Sequence, residues 1–452
     1  MKELTLEQHR ARIENIRTAE ENNKKYLRRK RIHDYLPGQA TYNLGDYPKR
    51  FSIAPTEYDV ELLTKLANAG VKLIQIHEEW NDSIRRFGAD KYSSHDPEGL
   101  QKFVDLCHSL GMKIIPYIST GFFHEFDPDF TEKFCRVQRR LRDNYFSYRI
   151  CWAGSPEWRD YLLPRTFAAV DKYGFDGIYN DWGYDGRCYA RYMAIKEGRI
   201  DNTMPYDPIL EDLLGFVYGE VKKRGGVYKM HCDLNYAPPV KDKVYDYLWI
   251  GECVTDPKIG DGKNHPDFVV PCPDFARGIS GSYEANFAKT IPFLQFPLFT
   301  CGRPLMGERV TQDVPYYGDK NNHATDYGFN HRVLNYMKEH PNGPYTYSLW
   351  SSIPSNPEEF PIWSKYFALY QPMVEENSVA YIELRECADV LSPIPDEVYM
   401  SMFVNEKKYL VVSNFTGKDY ELNLSESWTN RQTNQTADTF TVGNGDILFL
   451  MK

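Results

Sequence analysis

Two carboxylates of the sequence stand where an apolar stretch ends or is interrupted. Asp181 closes the segment FDGIYND, in which Ile178 and Tyr179 are typical of a buried strand. Glu252 interrupts the apolar segment LWIGECV. Because a buried carboxylate is costly unless it is paired or protonated, acids at such places indicate acid–base or nucleophilic chemistry. Asp185 lies further into the loop after FDGIYND, and it fits a helix cap as well as a site residue.

A pair of carboxylates in partly buried surroundings can hydrolyse a glycosidic bond, one as nucleophile or base and the other as acid. The chain also contains 34 Tyr, 25 Phe and 8 Trp. Tyr and Trp offer a flat apolar face with a polar edge, which suits ligands that are apolar on one side and hydroxylated on the other, as sugars are. For any single ring, a place in the core is the more common role. The composition therefore agrees with a carbohydrate site but does not locate it.

The elements that would position these acids repeat along the chain. Four segments begin with a capping residue, carry an apolar helical stripe, stop at a glycine and run directly into a short apolar strand. Their caps are Thr56, Asp96, Ser155 and Asp207, and the strands that follow are VKLIQIH, MKIIPYIST, FDGIYND and VYKMHCD. Helices alternating with such strands predict right-handed crossovers and a parallel sheet.

We expect eight parallel strands in an α/β fold, a (β/α)8 TIM barrel. The first strand would be RFSIAP, the sixth YDYLWIGECV, the seventh within IPFLQFPLFT and the eighth PYTYSLWS. A doubly wound sheet is the alternative, although no Gly-x-Gly-x-x-Gly follows the first strand. The segment VYMSMFVNEKKYLVVSNF predicts two strands around a polar turn, and DILFLMK predicts a last strand. The expected domains are an N-terminal helical extension at 1–45, a catalytic barrel at 46–374 and a C-terminal antiparallel β-sandwich at 375–452.

Barrel active sites form where the strands end, so polar and aromatic residues at those ends are candidate ligands of a substrate. We expect a substrate-binding set composed of His77, Glu78, Glu79, Trp80, Tyr117, Trp182, Tyr184, Asp233, Arg303, Arg309 and Trp350. The residues of this set that would stack on sugar rings are Trp80, Trp182, Tyr184 and Trp350. The residues that would hold hydroxyl groups are His77, Glu78, Glu79, Asp233, Arg303 and Arg309.

The layout resembles the glycoside hydrolase TIM barrels that carry a C-terminal β-sandwich. Within them it is most similar to the clan of α-galactosidases and α-glucosidases of families 27, 31 and 36, and to the endo-α-N-acetylgalactosaminidases. The segment FDGIYNDWG resembles the strand-four segment of these enzymes, and YLWIGECV falls at their strand six. The architectural likeness extends over most of the predicted barrel, whereas the motif likeness is confined to these short segments.

The resemblance implies a retaining mechanism with Asp181 as nucleophile and Glu252 as acid/base. One departure concerns the second acid, which is generally Asp in the α-galactosidase and α-glucosidase families and Glu in the α-N-acetylgalactosaminidase relatives. The sugar, the anomeric configuration and the choice between chain ends and interiors stay open.

Three other hypotheses remain. An α-amylase-like hydrolase would keep Asp181 and place the acid on another strand end, but it calls for Arg two residues before the nucleophile, where this chain has Tyr179. A non-catalytic carbohydrate-binding barrel would keep only the aromatic cleft. A metal-dependent hydrolase would need His77, His231 and an acid to converge, and no HExxH or comparable ligand spacing accompanies them.

The overall charge and the cysteines indicate which binding partners and which location to expect. A net charge of −9 does not suggest nucleic-acid binding, and we read the basic run KKYLRRKRIH as the end of one long polar N-terminal helix. No stretch approaches the length of a membrane span, and MKELTLEQHR lacks the apolar region of a signal peptide. Nine scattered cysteines suit reduced thiols and a cytoplasmic location. We expect a carbohydrate substrate, no metal and no cofactor. Three alternatives stay open for the N-terminal helix: packing on the barrel, formation of a homo-oligomer, or a remnant of an upstream domain.

Overall fold

The computed structural model describes residues 3–45, 51–81, 92–125, 127–136, 140–143, 146–181, 206–231, 237–250, 266–273, 283–303 and 359–452. Seven α-helices lie in these ranges: α1 Leu6–Asn22, α2 Glu57–Asn68, α3 Pro97–Ser109, α4 Pro156–Tyr173, α5 Pro208–Lys223, α6 Tyr283–Thr290 and α7 Phe360–Tyr370. Short 3-10 turns cover Glu78–Trp80, Glu132–Phe134, Ile291–Phe293 and Gln371–Val374. Among the described helices, none combines the length and the apolar character that crossing a membrane requires.

The predicted caps of the repeated units are confirmed. Thr56 and Asp96 accept hydrogen bonds from backbone N–H groups in the first turns of α2 and α3, and Ser155 and Asp207 do the same for α4 and α5. These bonds satisfy donors that a helix N-terminus leaves free, which is why the four helices begin at these residues. At the other end of α4, Gly174 adopts φ 69°, a left-handed conformation that glycine reaches without strain.

Eight parallel strands form the main sheet: β2 Gln39–Asn43, β3 Leu73–Ile76, β4 Lys113–Ser119, β8 Gly177–Asp181, β9 Val227–His231, β10 Tyr247–Ile250, β11 Pro271–Pro273 and β12 Phe299–Gly302. They pair in the order β11-β10-β9-β8-β4-β3-β2-β12. The two ends of this order also meet, because Phe296 N donates to Pro271 O at 2.9 Å and Leu298 N donates to Pro273 O at 2.8 Å. The sheet is therefore closed into a barrel.

The first and seventh strand predictions were wrong. RFSIAP is not a strand in its described part, residues 51–55, and the first barrel strand is β2 instead. In β2 the Tyr42 side chain points outward and donates to Asp59 of α2, whereas Gln39, Thr41 and Asn43 occupy the other face. These polar residues face the barrel interior, so the strand lacks the apolar run that marks a buried strand.

The seventh strand is β11, whose sequence Pro-Cys-Pro offers few strand signals. The segment IPFLQFPLFT contributes its last residues to the eighth strand, β12. PYTYSLWS, which was predicted as the eighth, lies outside the described residues.

A second, antiparallel sheet contains seven strands: β1 Asn23–Arg31, β13 Val379–Cys387, β14 Val398–Val404, β15 Lys408–Asn414, β16 Tyr420–Asn430, β17 Thr436–Val442 and β18 Ile447–Met451. They pair in the order β1-β13-β14-β15-β18-β16-β17. The predicted hairpin of β14 and β15 and the predicted last strand β18 are confirmed. A small third sheet, β5 Phe122–His124, β6 Arg140–Asp143 and β7 Phe146–Ile150, follows barrel strand β4 in the order β5-β7-β6.

The prediction of one long N-terminal helix through KKYLRRKRIH was wrong, because α1 ends at Asn22 and the basic run forms β1. β1 is an edge strand that pairs with β13, and Lys and Arg are suited to the exposed side of an edge. Helix α1 packs on this C-terminal sheet: Ala19 is fully buried in its core, and Arg12 donates to the carbonyl of Asn377 at 2.6 Å.

Candidate functional site

The C-terminal ends of the barrel strands share one rim, and the inward-facing residues there are polar or aromatic. The register pairs Tyr117 with Tyr179 and Ser119 with Asp181 between β4 and β8. Because side chains alternate along a strand, these four residues point into the barrel, and Ile118 and Asn180 point outward. His231, the last residue of β9, faces the same interior.

The Asp181 carboxylate is held by its neighbours at this rim. Tyr117 Oη donates to Asp181 Oδ2 at 2.6 Å, and His231 Nδ1 lies 3.7 Å from Oδ1. The Asp181 backbone carbonyl accepts bonds from Ser119 Oγ at 2.7 Å and from Thr120 N at 3.1 Å. The side chains of Asp181 and His231 are 18% and 11% exposed. A carboxylate that is fixed in direction and still reachable from solvent can act on a bound ligand.

The residue before Asp181 locks the strand end from the outer face of the barrel. Asn180 is fully buried, and its Nδ2 donates to Tyr228 Oη at 2.7 Å and to Thr120 Oγ1 at 2.9 Å. Thr120 N returns a bond to Asn180 Oδ1 at 3.0 Å. These bonds fix the tip of β8, so that Asp181 has little freedom to turn away from the rim.

Gly177, at the N-terminal end of β8, permits this strand to pack closely against β9. Gly177 adopts φ 135°, and a Cβ atom placed there would meet Val227 O of β9 at 1.9 Å. A side chain at this position would therefore separate β8 from β9. This requirement explains the glycine in FDGIYND.

A layer of aromatic rings and imidazoles lies beneath the rim. The Tyr179 ring centroid is 5.4 Å from Trp249, 5.7 Å from His77, 5.7 Å from Tyr117 and 6.3 Å from His231. All four pairs meet edge to face, which is a favourable arrangement for aromatic quadrupoles. The layer forms a packed floor below the Asp181 carboxylate.

The barrel interior is polar below this floor as well. Lys229 of β9 is fully buried, and its Nζ donates to Gln39 Oε1 of β2 at 3.1 Å. Gln75 of β3 is also fully buried, and its side-chain amide makes no hydrogen bond within the described part of the chain. Buried polar groups of this kind are costly to a core, and they distinguish this barrel from one packed purely for stability.

Two residues of the predicted substrate-binding set hold the scaffold. The Trp80 ring is fully buried against Tyr173 and Phe175, and its Nε1 donates to the carbonyl of Tyr117 at 3.1 Å. Since a buried ring has no face to offer a sugar, the position of Trp80 does not fit the stacking role predicted for it.

Arg303 is likewise engaged within the protein. Its guanidinium donates to the Asp59 carboxylate at 2.8–3.1 Å and to the backbone carbonyls of Ser52, Ile53 and Ala54. Asp59 is fully buried, and it also accepts from Tyr42 at 2.6 Å. The arrangement clamps the end of β12 to α2 and to the segment before it, which is a structural role rather than a position for binding sugar hydroxyls.

The other predicted residues divide into two groups. His77 and Glu79 are buried near the rim, at 2% and 1% exposure, and Glu78 begins the 3-10 turn that also contains Glu79 and Trp80. Outside the described residues lie Trp182, Tyr184, Asp233, Glu252, Arg309 and Trp350. The roles of this second group stay predictions.

Sequence reasoning singled out Tyr117, which bonds the Asp181 carboxylate, but it missed two other neighbours of Asp181. Ser119 was not singled out, and His231 was considered only as a metal ligand. The signal was present in the two-residue period of YIS and VYKMH, which places Ser119 on the face of Tyr117 and His231 on the face of Lys229. Aligning those faces across the three strands β4, β8 and β9 would have brought them to Asp181.

A metal centre at the rim finds no support among the described residues. Within the described part of the chain, His77, His231 and an acid do not lie close enough together to share one metal ion. The one group of three close ligating side chains found there is His33, Asp34 and Glu376. His33 and Asp34 follow the end of β1, and Glu376 precedes the start of β13. This group is therefore beside the C-terminal sheet, and it is largely exposed.

Comparison with known proteins gives structural matches only. No family model and no curated protein matches the sequence. A noncanonic maltogenic α-amylase from Thermotoga neapolitana has a TM-score of 0.53 at 13% identity, with 92% of this chain and 99% of that chain covered. An α-amylase from Geobacillus thermoleovorans, complexed with acarbose, has a TM-score of 0.54 at 10% identity and coverages of 93% and 99%.

A trehalulose synthase variant has a TM-score of 0.55 at 12% identity, with coverages of 92% and 99%. At such identities the likeness concerns the fold. It agrees with the closed eight-stranded barrel and the C-terminal antiparallel domain described above, and it confirms the predicted α/β TIM-barrel fold class.

Proposed function

We propose that the protein is a glycoside hydrolase with its active site at the rim around Asp181. The observation that carries the proposal is the fixed, partly exposed Asp181 carboxylate at the end of the fourth barrel strand, 2.6 Å from Tyr117 Oη and above a floor of aromatic rings. The fold likeness to enzymes titled α-amylase supports the same class of reaction. The partner is accordingly a carbohydrate.

An α-amylase-like hydrolase is favoured over the α-galactosidase clan, because the similar structures reported above are those of α-amylases and a trehalulose synthase. The departure at Tyr179 remains, since α-amylase-like barrels call for Arg two residues before the nucleophile. In this chain Tyr117 and His231 flank the carboxylate from the two neighbouring strands. We infer that these two side chains orient Asp181 in place of an arginine.

The proposed mechanism is retention through a covalent intermediate. Asp181 attacks the anomeric carbon while a carboxylic acid protonates the leaving oxygen, and the same acid then removes a proton from the attacking water. Glu252, which follows strand β10 in the sequence, is the acid/base of the α-galactosidase-like alternative, whereas the α-amylase-like mechanism places this acid at another strand end. Retention calls for carboxyl groups ~5–5.5 Å apart, and a separation of ~6.5–9.5 Å would favour inversion.

The proposed sugar-binding set is smaller than the predicted one. Trp80 and Arg303 leave it, because the Trp80 ring packs on Tyr173 and Phe175 and Arg303 holds Asp59. The set retains His77, Glu78, Glu79, Tyr117, Trp182, Tyr184, Asp233, Arg309 and Trp350.

A substrate panel tests the function. Nitrophenyl α- and β-glycosides and α-linked oligosaccharides would be incubated with the enzyme, with the Asp181→Asn variant as blank, and the product anomer read by NMR. We expect hydrolysis of an α-linked substrate and initial release of the α-anomer, the outcome of retention. Sugar binding without turnover of any glycoside would contradict the proposal in favour of a non-catalytic carbohydrate-binding barrel.

A further inference from the structure

Two cysteines come together at the base of the small sheet that follows barrel strand β4. Cys135 lies directly after the 3-10 turn Glu132–Phe134, and Cys151 lies directly after β7. Their backbones run side by side, because Trp152 N donates to Phe134 O at 2.8 Å. The two thiols are free and interact side chain to side chain.

The surroundings give the two thiols different characters. The bond from Cys151 and the nearby Arg149 guanidinium lower the pKa of Cys135, although burial acts in the opposite direction. Burial, followed by the bond to Cys135, raises the pKa of Cys151. Cys135 is partly exposed and Cys151 is only 6% exposed. Cys135 is thus suited to attack an oxidant first, and Cys151 to attack the mixed disulfide that results.

We propose that Cys135 and Cys151 form a reversible disulfide, with a small-molecule disulfide such as oxidised glutathione as the oxidant. The Cys135 thiolate attacks one sulfur of oxidised glutathione, forms a mixed disulfide and releases one glutathione thiolate. Cys151 then gives up its proton to solvent and attacks Cys135 Sγ, which releases the second glutathione. Two electrons pass from the cysteines to glutathione, and the S–S bond of glutathione is replaced by one in the protein.

The disulfide would act close to the rim. Cys151 N donates to Gly121 O at 2.7 Å, and Gly121 N donates to Ser119 Oγ at 3.3 Å. Ser119 Oγ is the group that donates to the Asp181 carbonyl at 2.7 Å. A cross-link from Cys151 to Cys135 would therefore restrain β6 and β7 at the point where they join the barrel.

The full chain, reduced and desalted, would be incubated with oxidised glutathione, trapped with N-ethylmaleimide and mapped by peptide mass spectrometry. We expect a Cys135–Cys151 cross-linked peptide, an intact mass lower by two hydrogen atoms, and reversal by dithiothreitol. The fully buried Cys301 is the internal control and should stay unmodified. Oxidation should also raise the Tm by a few degrees, because a cross-link restricts the unfolded chain.

Two variants sharpen the test. Cys151→Ser should keep Cys135 as a lasting glutathione adduct, and Cys135→Ser should leave Cys151 unmodified. A lasting adduct on Cys135 of the wild-type protein, a cross-link to another cysteine, or no reaction would each overturn the proposal. If a variant fails to fold, the wild-type peptide map alone decides.

Discussion

The centre of the barrel and the core on one face of the C-terminal sheet bury different kinds of side chain. The barrel encloses Lys229, Gln39 and Gln75, all fully buried, beneath a rim that holds Asp181. The C-terminal sheet encloses an apolar core in which Leu410 and Leu450 face each other on neighbouring strands. Apolar burial stabilises by about 25 cal/mol per Å², whereas buried polar groups add little or cost stability. The comparison assigns chemistry to the barrel and stability to the C-terminal sheet.

The largest effect should come from the rim. Asp181→Asn keeps the shape of the side chain but removes the proposed nucleophile, so we expect kcat to fall by on the order of 10⁴-fold or more. Steady-state kinetics on the best substrate of the panel measures this.

The matched control is Asp176→Asn, directly before β8, where the Asp176 carboxylate accepts bonds from His108 Nε2 and Ile114 N. This variant should lower the Tm and leave kcat unchanged. Equal losses of kcat in the two variants would place the chemistry elsewhere.

The clamp around Arg303 should affect stability and not turnover. Arg303→Ala leaves the buried Asp59 carboxylate without its cation, which should cost about 3–5 kcal/mol of unfolding free energy. Urea unfolding measures the loss, and KM of the folded fraction should be unchanged. A rise in KM without a loss of stability would return Arg303 to the sugar-binding set.

A core substitution in the C-terminal sheet tests the other half of the comparison. Leu410→Ala should cost about 3 kcal/mol, because it leaves a cavity opposite Leu450. Urea unfolding followed by tryptophan fluorescence measures the cost, and kcat at a permissive temperature should match the wild type. A tenfold or larger fall in kcat would show that the C-terminal sheet contributes to chemistry.

Removing the hydroxyl beside the proposed nucleophile should have a moderate effect. Tyr117→Phe deletes the 2.6 Å bond to Asp181 and keeps the ring packed on Tyr179. A hydrogen bond to a charged group contributes about 1.5–3 kcal/mol, so we expect kcat/KM to fall roughly 10- to 100-fold with little change in Tm. Unchanged kinetics would exclude Tyr117 as the orienting residue.

The smallest expected effect is a change in thermal stability that appears only at acidic pH. Burial acts to raise the pKa of Asp59, but bonds from Arg303, Tyr42 and Thr56 outweigh it and hold that pKa below its usual range. The stabilisation is therefore fully present above pH ~4, the value for an unfolded Asp, and is lost as the pH falls through the lowered pKa of the folded state. Asp59→Asn should show a shallower loss of Tm than the wild type below pH ~4. Parallel Tm profiles for the two proteins would contradict this account.

The sequence predicted those parts of the fold that local signals specify. Caps such as Thr56 and Ser155 and apolar strands such as β8 are marked by adjacent residues, and the four predicted caps and the four strands that follow their helices are confirmed. β2 and β1 were missed because their stability depends on distant partners. β2 carries polar residues that face the barrel interior, and the basic β1 pairs with β13, which is more than three hundred residues later in the chain.

The site was predictable to a similar extent. Asp181 follows an apolar strand and is conspicuous, whereas Ser119 and His231 become its neighbours only through the parallel register of β4, β8 and β9. Trp80 and Arg303 were attractive by residue type, yet their burial and their bond to Asp59 depend on packing between elements.

Covalent trapping tests the central claim most directly. A fluorinated, activated glycoside of the preferred sugar would form the glycosyl-enzyme quickly and hydrolyse slowly, so that peptide mass spectrometry can locate the attached sugar. We predict one glycosyl group on the peptide that contains Asp181, and none on Asp181→Asn. A sugar attached to another carboxylate, or continued turnover with an unlabelled Asp181 peptide, would contradict the account.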